Sequence, residues 1–140
     1  MTLLDPTTDA EILSTFDVMH QLRPKLTRDT YVATIRRLMA NERYRLVALL
    51  DDGRVCAVAG IRDMEMLYCG RITYVDDLVT DEASRSRGCG QALLDALKAR
   101  AVAAGHEAIH LDSALWRVDA HRFYEREAMP KTAFHFAMTF

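Results

Sequence analysis

Ile72-Thr73-Tyr74-Val75-Asp76-Asp77-Leu78-Val79-Thr80, a short acidic link, and Arg85-Ser86-Arg87-Gly88-Cys89-Gly90-Gln91 form the stretch whose reading decides the fold. The first part is rich in β-branched and aromatic residues and predicts a strand over Ile72–Val79, preceded by Gly70 and carrying two acids. The second part opens a run in which Leu93, Leu94, Leu97 and Ala101 share one stripe, predicting a helix over Gly88–Ala104 with Gly105 as its stop. Two glycines separated by one residue tolerate backbone conformations, and a closeness of ligand, that a Cβ hinders. At a helix start several N–H groups lack intrahelical partners, and with the helix dipole they suit an anion. Arg85 and Arg87 add fixed positive charge, so a pyrophosphate matches the turn. Gly-x-Gly alone also fits an ordinary loop with solvated arginines. No Gly-x-x-x-x-Gly-Lys-Ser/Thr occurs, which excludes a P-loop, and Leu93 stands where a dinucleotide fingerprint requires its third glycine.

Outward from this stretch the chain alternates cleanly. Thr7 and Thr8 precede Ile12, Leu13, Phe16 and Met19 at helical spacing, and Leu22–Leu26 breaks that helix at Pro24. Thr27 opens a second helix carrying Thr30, Tyr31, Ile35, Leu38 and Met39, with Arg36 and Arg37 toward solvent. Tyr44–Leu50, the turn Asp51-Asp52-Gly53 and Arg54–Ile61 read as a hairpin. Beyond the long helix, Ala108–Leu111 predicts a strand, Asp119–Glu127 a short helix and Thr132–Phe140 a final strand. The order is ααβββαβαβ, with a further short strand at Leu3-Leu4. Hairpin strands followed by a strand–helix–strand crossover give an α+β fold: a mixed, mostly antiparallel sheet with helices on both faces. No repeat or linker divides the chain, so residues 1–140 are expected to form a single domain.

Composition narrows the function classes. A 50% hydrophobic and 27% charged chain is an ordinary globular one. A net charge of -2 gives no drive toward nucleic acid or an anionic membrane. Cys56, Cys69 and Cys89 are odd in number and lack CxxC spacing, so neither a disulfide framework nor a metal site is expected. Reduced thiols fit a cytoplasmic protein. Thr2-Leu3-Leu4-Asp5-Pro6 does not open a signal peptide, and no apolar run approaches the ~20 residues of a membrane span.

Three motifs in order carry a family resemblance over residues 72–129. Arg85-x-x-Gly88-x-Gly90 resembles the [Gln/Arg]-x-x-Gly-x-[Gly/Ala] pyrophosphate motif of the GNAT superfamily of N-acetyltransferases. Tyr74–Thr80 resembles the splayed fourth strand of that family, and Ala120-His121-Arg122-Phe123-Tyr124-Glu125 its Ala-x-x-Phe-Tyr-Glu helix. The resemblance implies a GNAT-like acyl-CoA N-acyltransferase fold, acetyl-CoA as cosubstrate and an amine acceptor, without a metal. It assigns main-chain contacts to the pantetheine arm at Leu78, Val79 and Thr80. Backbone amides of Arg87, Gly88, Cys89, Gly90 and Gln91 would hold the pyrophosphate, supported by Arg85 and Ser86. Cys89 fills the variable position of the motif. A homodimer is a frequent habit of the family.

Tyr124 matches the tyrosine that protonates the departing coenzyme A thiolate in many members. A phenol of ordinary pKa near ~10 is protonated at neutral pH and can donate. The acceptor must also lose a proton: a lysine-like amine is less than ~0.1% neutral at pH 7, a shortage equivalent to roughly 4–5 kcal/mol. Asp76 corresponds to an acidic position that some members use as base or as anchor for the amine. Strand alternation places Asp76 on the face of Tyr74 and Leu78, with Asp77 opposite. His110, inside an apolar strand, reads as an interior histidine, and His121 is only a sequence neighbour of Tyr124. The chain departs from the family pattern at Arg117, where many members carry a pantetheine-binding Asn, and at Ala128-Met129 in place of Gly-Phe. Two other classes remain open: a catalytically silent acyl-CoA-binding sensor, and a toxin that acetylates aminoacyl-tRNA, against which the acidic balance argues.

Overall fold

The computed structural model describes residues 1–140. Thr8 caps the first helix reciprocally: its hydroxyl accepts from Glu11 N at 3.2 Å, and Glu11 Oε2 accepts from Thr8 N at 3.0 Å. The predicted first helix is two short ones, α1 (Asp9–Ser14) and α2 (Phe16–Leu22), joined at Thr15. Thr15 Oγ1 donates to Ile12 O at 2.7 Å and shares a hydrogen bond with the Tyr31 hydroxyl, so a polar residue closes the joint inside the core. Helix α3 (Arg28–Glu42) follows Thr27 and ends on left-handed Arg43.

The sheet has the order β1-β2-β3-β4-β5, from Thr2–Leu4, Arg45–Asp51, Arg54–Met66, Gly70–Thr80 and Ala108–Leu111. Strands β1 to β4 pair antiparallel. Asp52 (φ 49°) and Gly53 (φ 75°) make the left-handed turn between β2 and β3. Strand β3 runs to Met66, beyond the expected Ile61, because its hairpin with β4 extends past the covered part of the sheet. Helix α4 (Cys89–Ala103) makes the crossover from β4 to β5 and ends before Gly105 (φ 73°).

Leu46, Val47, Ala48 and Leu49 are all buried, although successive strand residues point to opposite faces, so the sheet is covered on both sides. Leu46, Ala48 and Val58 pack with Ile12, Phe16, Met19, Tyr31 and Ile35 from the first three helices. Helix α4 packs on β2, β3 and β4, with Leu93, Leu94, Leu97 and Ala101 buried. The α+β fold with helices on both faces is the one expected.

The chain divides into two compact units, Met1–His110 and Leu111–Phe140. The second holds α5 (Val118–Arg126) and one correction. The expected strand Thr132–Phe140 is absent: the segment has no regular structure and every residue in it is exposed. Its residues have strand propensity, but a strand forms only when another satisfies its backbone, and none pairs here.

Gly60 is fixed by packing. A Cβ there would collide with the hydroxyl end of the Tyr44 ring, which is 5% exposed. Gly60→Ala is therefore expected to destabilise the protein by about 1–3 kcal/mol through overpacking. Urea unfolding measures it, and an unchanged midpoint would contradict the packing.

Candidate active site

The turn after β4 is held from three directions. Asp81 N–H donates to Cys56 O at 2.9 Å, continuing the ladder of β3. Gln21 of α2 donates to Asp81 Oδ1 and accepts from Glu82 N, each at 2.9 Å. Arg87 Nη2 donates to Asp51 Oδ2 at 2.5 Å, tying the turn to the β2–β3 hairpin. Ser86 (φ 64°) and Gly88 (φ 79°) are both left-handed, which reverses the chain within three residues. Gly88 caps α4 without any side-chain bond, and the first intrahelical bond runs from Ala92 N to Gly88 O at 2.9 Å. The amides of Cys89, Gly90 and Gln91 precede that bond and have no intrahelical acceptor. Arg85, Ser86, Arg87 and Gly88 are exposed around them.

Cys89 is 1% exposed and its thiol hydrogen-bonds Cys56 of β3. Burial, then that bond, pushes the Cys56 thiol up to about 12, so Cys56 stays a neutral thiol, and its contact with buried Cys89 seats the first turn of α4. Leu78, Val79 and Thr80 pair with Ala59, Val58 and Ala57 of β3 through one edge of β4. Strand β5 has four residues against the eleven of β4, too few to occupy the whole of the other edge.

Asp76 is the extra residue of a bulge: Gly60 pairs with Asp77 and Ile61 with Val75. Arg62 grips it through two bonds, Nε to Oδ2 and Nη2 to Oδ1, both 2.7 Å. That pairing raises the Arg62 pKa, chiefly through the hydrogen bonds to Asp76. The Arg62 guanidinium also lies 5.8 Å from the centre of the Tyr74 ring, so Tyr74 and Asp76 share a side. The bulge pairs Asp77 with Gly60, on the same face of β3 as Arg62, so Asp77 does not lie opposite and Leu78 does, contrary to simple alternation. Asp77 accepts from the Tyr44 hydroxyl at 2.8 Å and from Arg23 Nε at 2.8 Å, while Arg23 Nη2 reaches Asp76 O at 2.9 Å. Burial first, and the Asp77 charge next, raise the Tyr44 pKa, so this phenol stays a donor. Each carboxylate is thus matched by a guanidinium. Sequence reading did not foresee Arg23, Arg62 and Tyr44 as the partners of the two acids; only the register of the bulged hairpin, and the fold of α2 over β4, reveal them.

Tyr124 belongs to the second unit. It is 8% exposed and its ring meets Phe123 edge-on at 5.5 Å. Burial raises its pKa, opposed by the charge of Arg117. His121 Nε2 donates to Ala114 O at 2.8 Å. His110 is half-buried and its Nδ1 lies 3.3 Å from the Tyr68 hydroxyl, rather than in the interior.

The family model described as Acetyltransferase (GNAT) family matches residues 11–128. An uncharacterized N-acetyltransferase, YhdJ, of Bacillus subtilis (strain 168) is 34% identical over 118 residues, 84% of this chain and 83% of that one. Among solved structures, a transcriptional regulator from Bacillus halodurans C-125 superposes with a TM-score of 0.84 at 19% identity, covering 99% of each chain. A ribosomal-protein-alanine N-acetyltransferase from Brucella melitensis biovar Abortus 2308 gives 0.83 at 16% identity over 100% of each. These structural likenesses carry the fold. The sequence matches carry the family: the chain belongs to the acetyltransferase (GNAT) family.

The Arg62–Asp76 pair makes a measurable claim. Arg62→Met is expected to cost about 1–3 kcal/mol, because a partly buried carboxylate loses two charge-assisted bonds. In a double-mutant cycle by chemical unfolding, Asp76→Asn should recover part of that loss; simple additivity of the two changes would show that the pair is not coupled.

Proposed function

We propose that this member of the GNAT family moves an acetyl group from acetyl-CoA to a primary amine of a small molecule or peptide, by direct attack. The observation that carries this reading is the left-handed turn that opens α4 with three amides lacking intrahelical acceptors. Amides from Arg87 to Gln91 hold the pyrophosphate, with Arg85 and Ser86 beside it. Each N–H to phosphate bond is charge-assisted, and the helix dipole adds about 0.3–1 kcal/mol for an exposed anion. The part of the β4 edge that short β5 leaves uncovered supports main-chain pairing of Leu78, Val79 and Thr80 with the pantetheine arm, as an added strand would pair.

In the reaction the acceptor nitrogen attacks the thioester carbonyl carbon, the carbon–sulfur bond breaks, and an amide forms. The departing thiolate takes the Tyr124 proton. A phenol whose pKa is raised by burial remains protonated throughout the neutral range, so it is available as an acid. The acceptor nitrogen sheds two protons in all, one before attack and one from the adduct, through Asp76 or water, and solvent returns one to the Tyr124 phenolate. Arg62 already uses one position on each oxygen of Asp76, and a carboxylate has about four such positions, so the remaining ones can orient an incoming amine. This geometry supports Asp76 as the amine anchor.

Gly88→Val and Gly90→Val should each abolish coenzyme A binding in calorimetry, the first because φ 79° strains a residue with a Cβ. Undiminished affinity in both would refute the turn assignment. Tyr124→Phe should lower kcat by about 10²–10⁴-fold with little change in acetyl-CoA affinity. The wild-type rate should fall only above pH ~10, where the phenol deprotonates, and the Phe variant should lack that limb. Equal turnover of the two proteins across pH would remove Tyr124 from the mechanism. An amine panel read by mass spectrometry identifies the acceptor, and no turnover with any amine, despite coenzyme A binding, would favour a silent binding module.

A further inference from the structure

Two guanidiniums converge on one residue of the bulge. Arg62 of β3 holds the Asp76 carboxylate through Nε and Nη2, both at 2.7 Å. Arg23, just past α2, donates from Nη2 to the Asp76 carbonyl at 2.9 Å and from Nε to Asp77 at 2.8 Å. A guanidinium carries five N–H donors and each arginine uses two here, which leaves three on each, two of them on Nη1. The Arg62 and Asp76 side chains are 29% and 23% exposed, so a ligand can reach them while much of the surrounding water is excluded.

Charge at this point is already balanced. Asp76 and Asp77 offset Arg62 and Arg23, and the Tyr44 phenol between them keeps its proton. Glu42 also acts on Arg62, but it is exposed at the end of α3, where solvent screens it. A plain ammonium arriving at Asp76 would therefore meet two guanidiniums and no anion whose charge is unmatched. An amine that brings its own anion removes this conflict. Its nitrogen takes the open positions on Asp76, and its oxyanion takes donors left on Arg23 and Arg62, whose planar forks match a carboxylate or a phosphate.

Resting on the reading of Asp76 as the amine anchor, we propose that the acceptor is a small zwitterionic amine with a carboxylate or phosphate a few bonds from its nitrogen. Arg23 and Arg62 determine that specificity. The same guanidiniums disfavour the ammonium form of the bound amine, which eases the loss of its proton. The Tyr74 ring, 5.8 Å from the Arg62 guanidinium, helps to hold that fork in place.

Initial rates at saturating acetyl-CoA, read as released thiol, test this with matched sets of amines. Each set holds an amino acid, its methyl ester, the same amine without the acid, and the corresponding aminoalkyl phosphate. The KM of the best oxyanion-bearing amine should lie about 10–100-fold below that of its ester and of the amine without the acid, the effect of hydrogen bonds to a charged group. The nitrogen of the ester is the easier to deprotonate, so the comparison is weighted against the proposal. The carboxylate and phosphate arms show which oxyanion the site takes. Arg23→Gln, at a half-exposed side chain, should raise KM for the oxyanion form and leave the ester unchanged. Arg62→Lys, which keeps the charge and loses the fork, should shrink the same ratio. Amines without the acid turned over as well as their zwitterionic counterparts overturn the proposal and leave the acetyltransferase reading standing. Arg23→Gln slowing every amine alike marks a purely structural arginine and overturns it too. No turnover of any amine by protein that binds coenzyme A defeats the acetyltransferase reading itself, and this proposal with it.

Discussion

Helix α4 must begin with its main-chain donors facing out, and the surrounding structure enforces this. A helix capped by its own side chain would satisfy those donors internally. Here the cap is a left-handed glycine without a side chain, and the next residue is a cysteine buried against Cys56. The apolar stripe of Leu93, Leu94 and Leu97 fixes the helix on the sheet. Asp51 and Gln21 then hold the approach to it from the hairpin and from α2. The donors are therefore positioned before any ligand arrives, which removes much of the ordering cost of binding an anion.

The second constraint lies at the bulge in β4. Inserting Asp76 turns two successive acids into neighbours with different partners, Arg62 for one and Tyr44 with Arg23 for the other. Gly60 leaves the space that the Tyr44 hydroxyl fills. Because Arg23 follows α2, the same ion pair that neutralises Asp77 also draws the α2–α3 connection over β4. Packing and charge are thus set by one irregularity in one strand.

Much of this was legible beforehand because periodicity and glycine placement are local. The stripe of α4, the bounds of β5 and the turn at Asp52-Gly53 follow from residues a few positions apart. The joint at Thr15 was not legible, since it depends on the Tyr31 hydroxyl of another helix donating to the buried Thr15 oxygen. The partners of Asp76 and Asp77 were not legible either, because a bulge shifts the register and sequence alternation cannot register that shift. Residues 132–140 show the converse. Their pattern has strand propensity, but a strand needs a second segment to satisfy its backbone, and none pairs with residues 132–140, so the expected strand does not form.

The claim on which the function rests concerns a few amides, so it is best tested at those amides. In a titration of the ¹⁵N-labelled protein with coenzyme A followed by heteronuclear NMR, the account predicts the largest shifts at Gly88, Cys89, Gly90 and Gln91, with smaller ones along Leu78–Thr80. Saturable binding that leaves the four amides of the turn unmoved, or no binding at all, would contradict it.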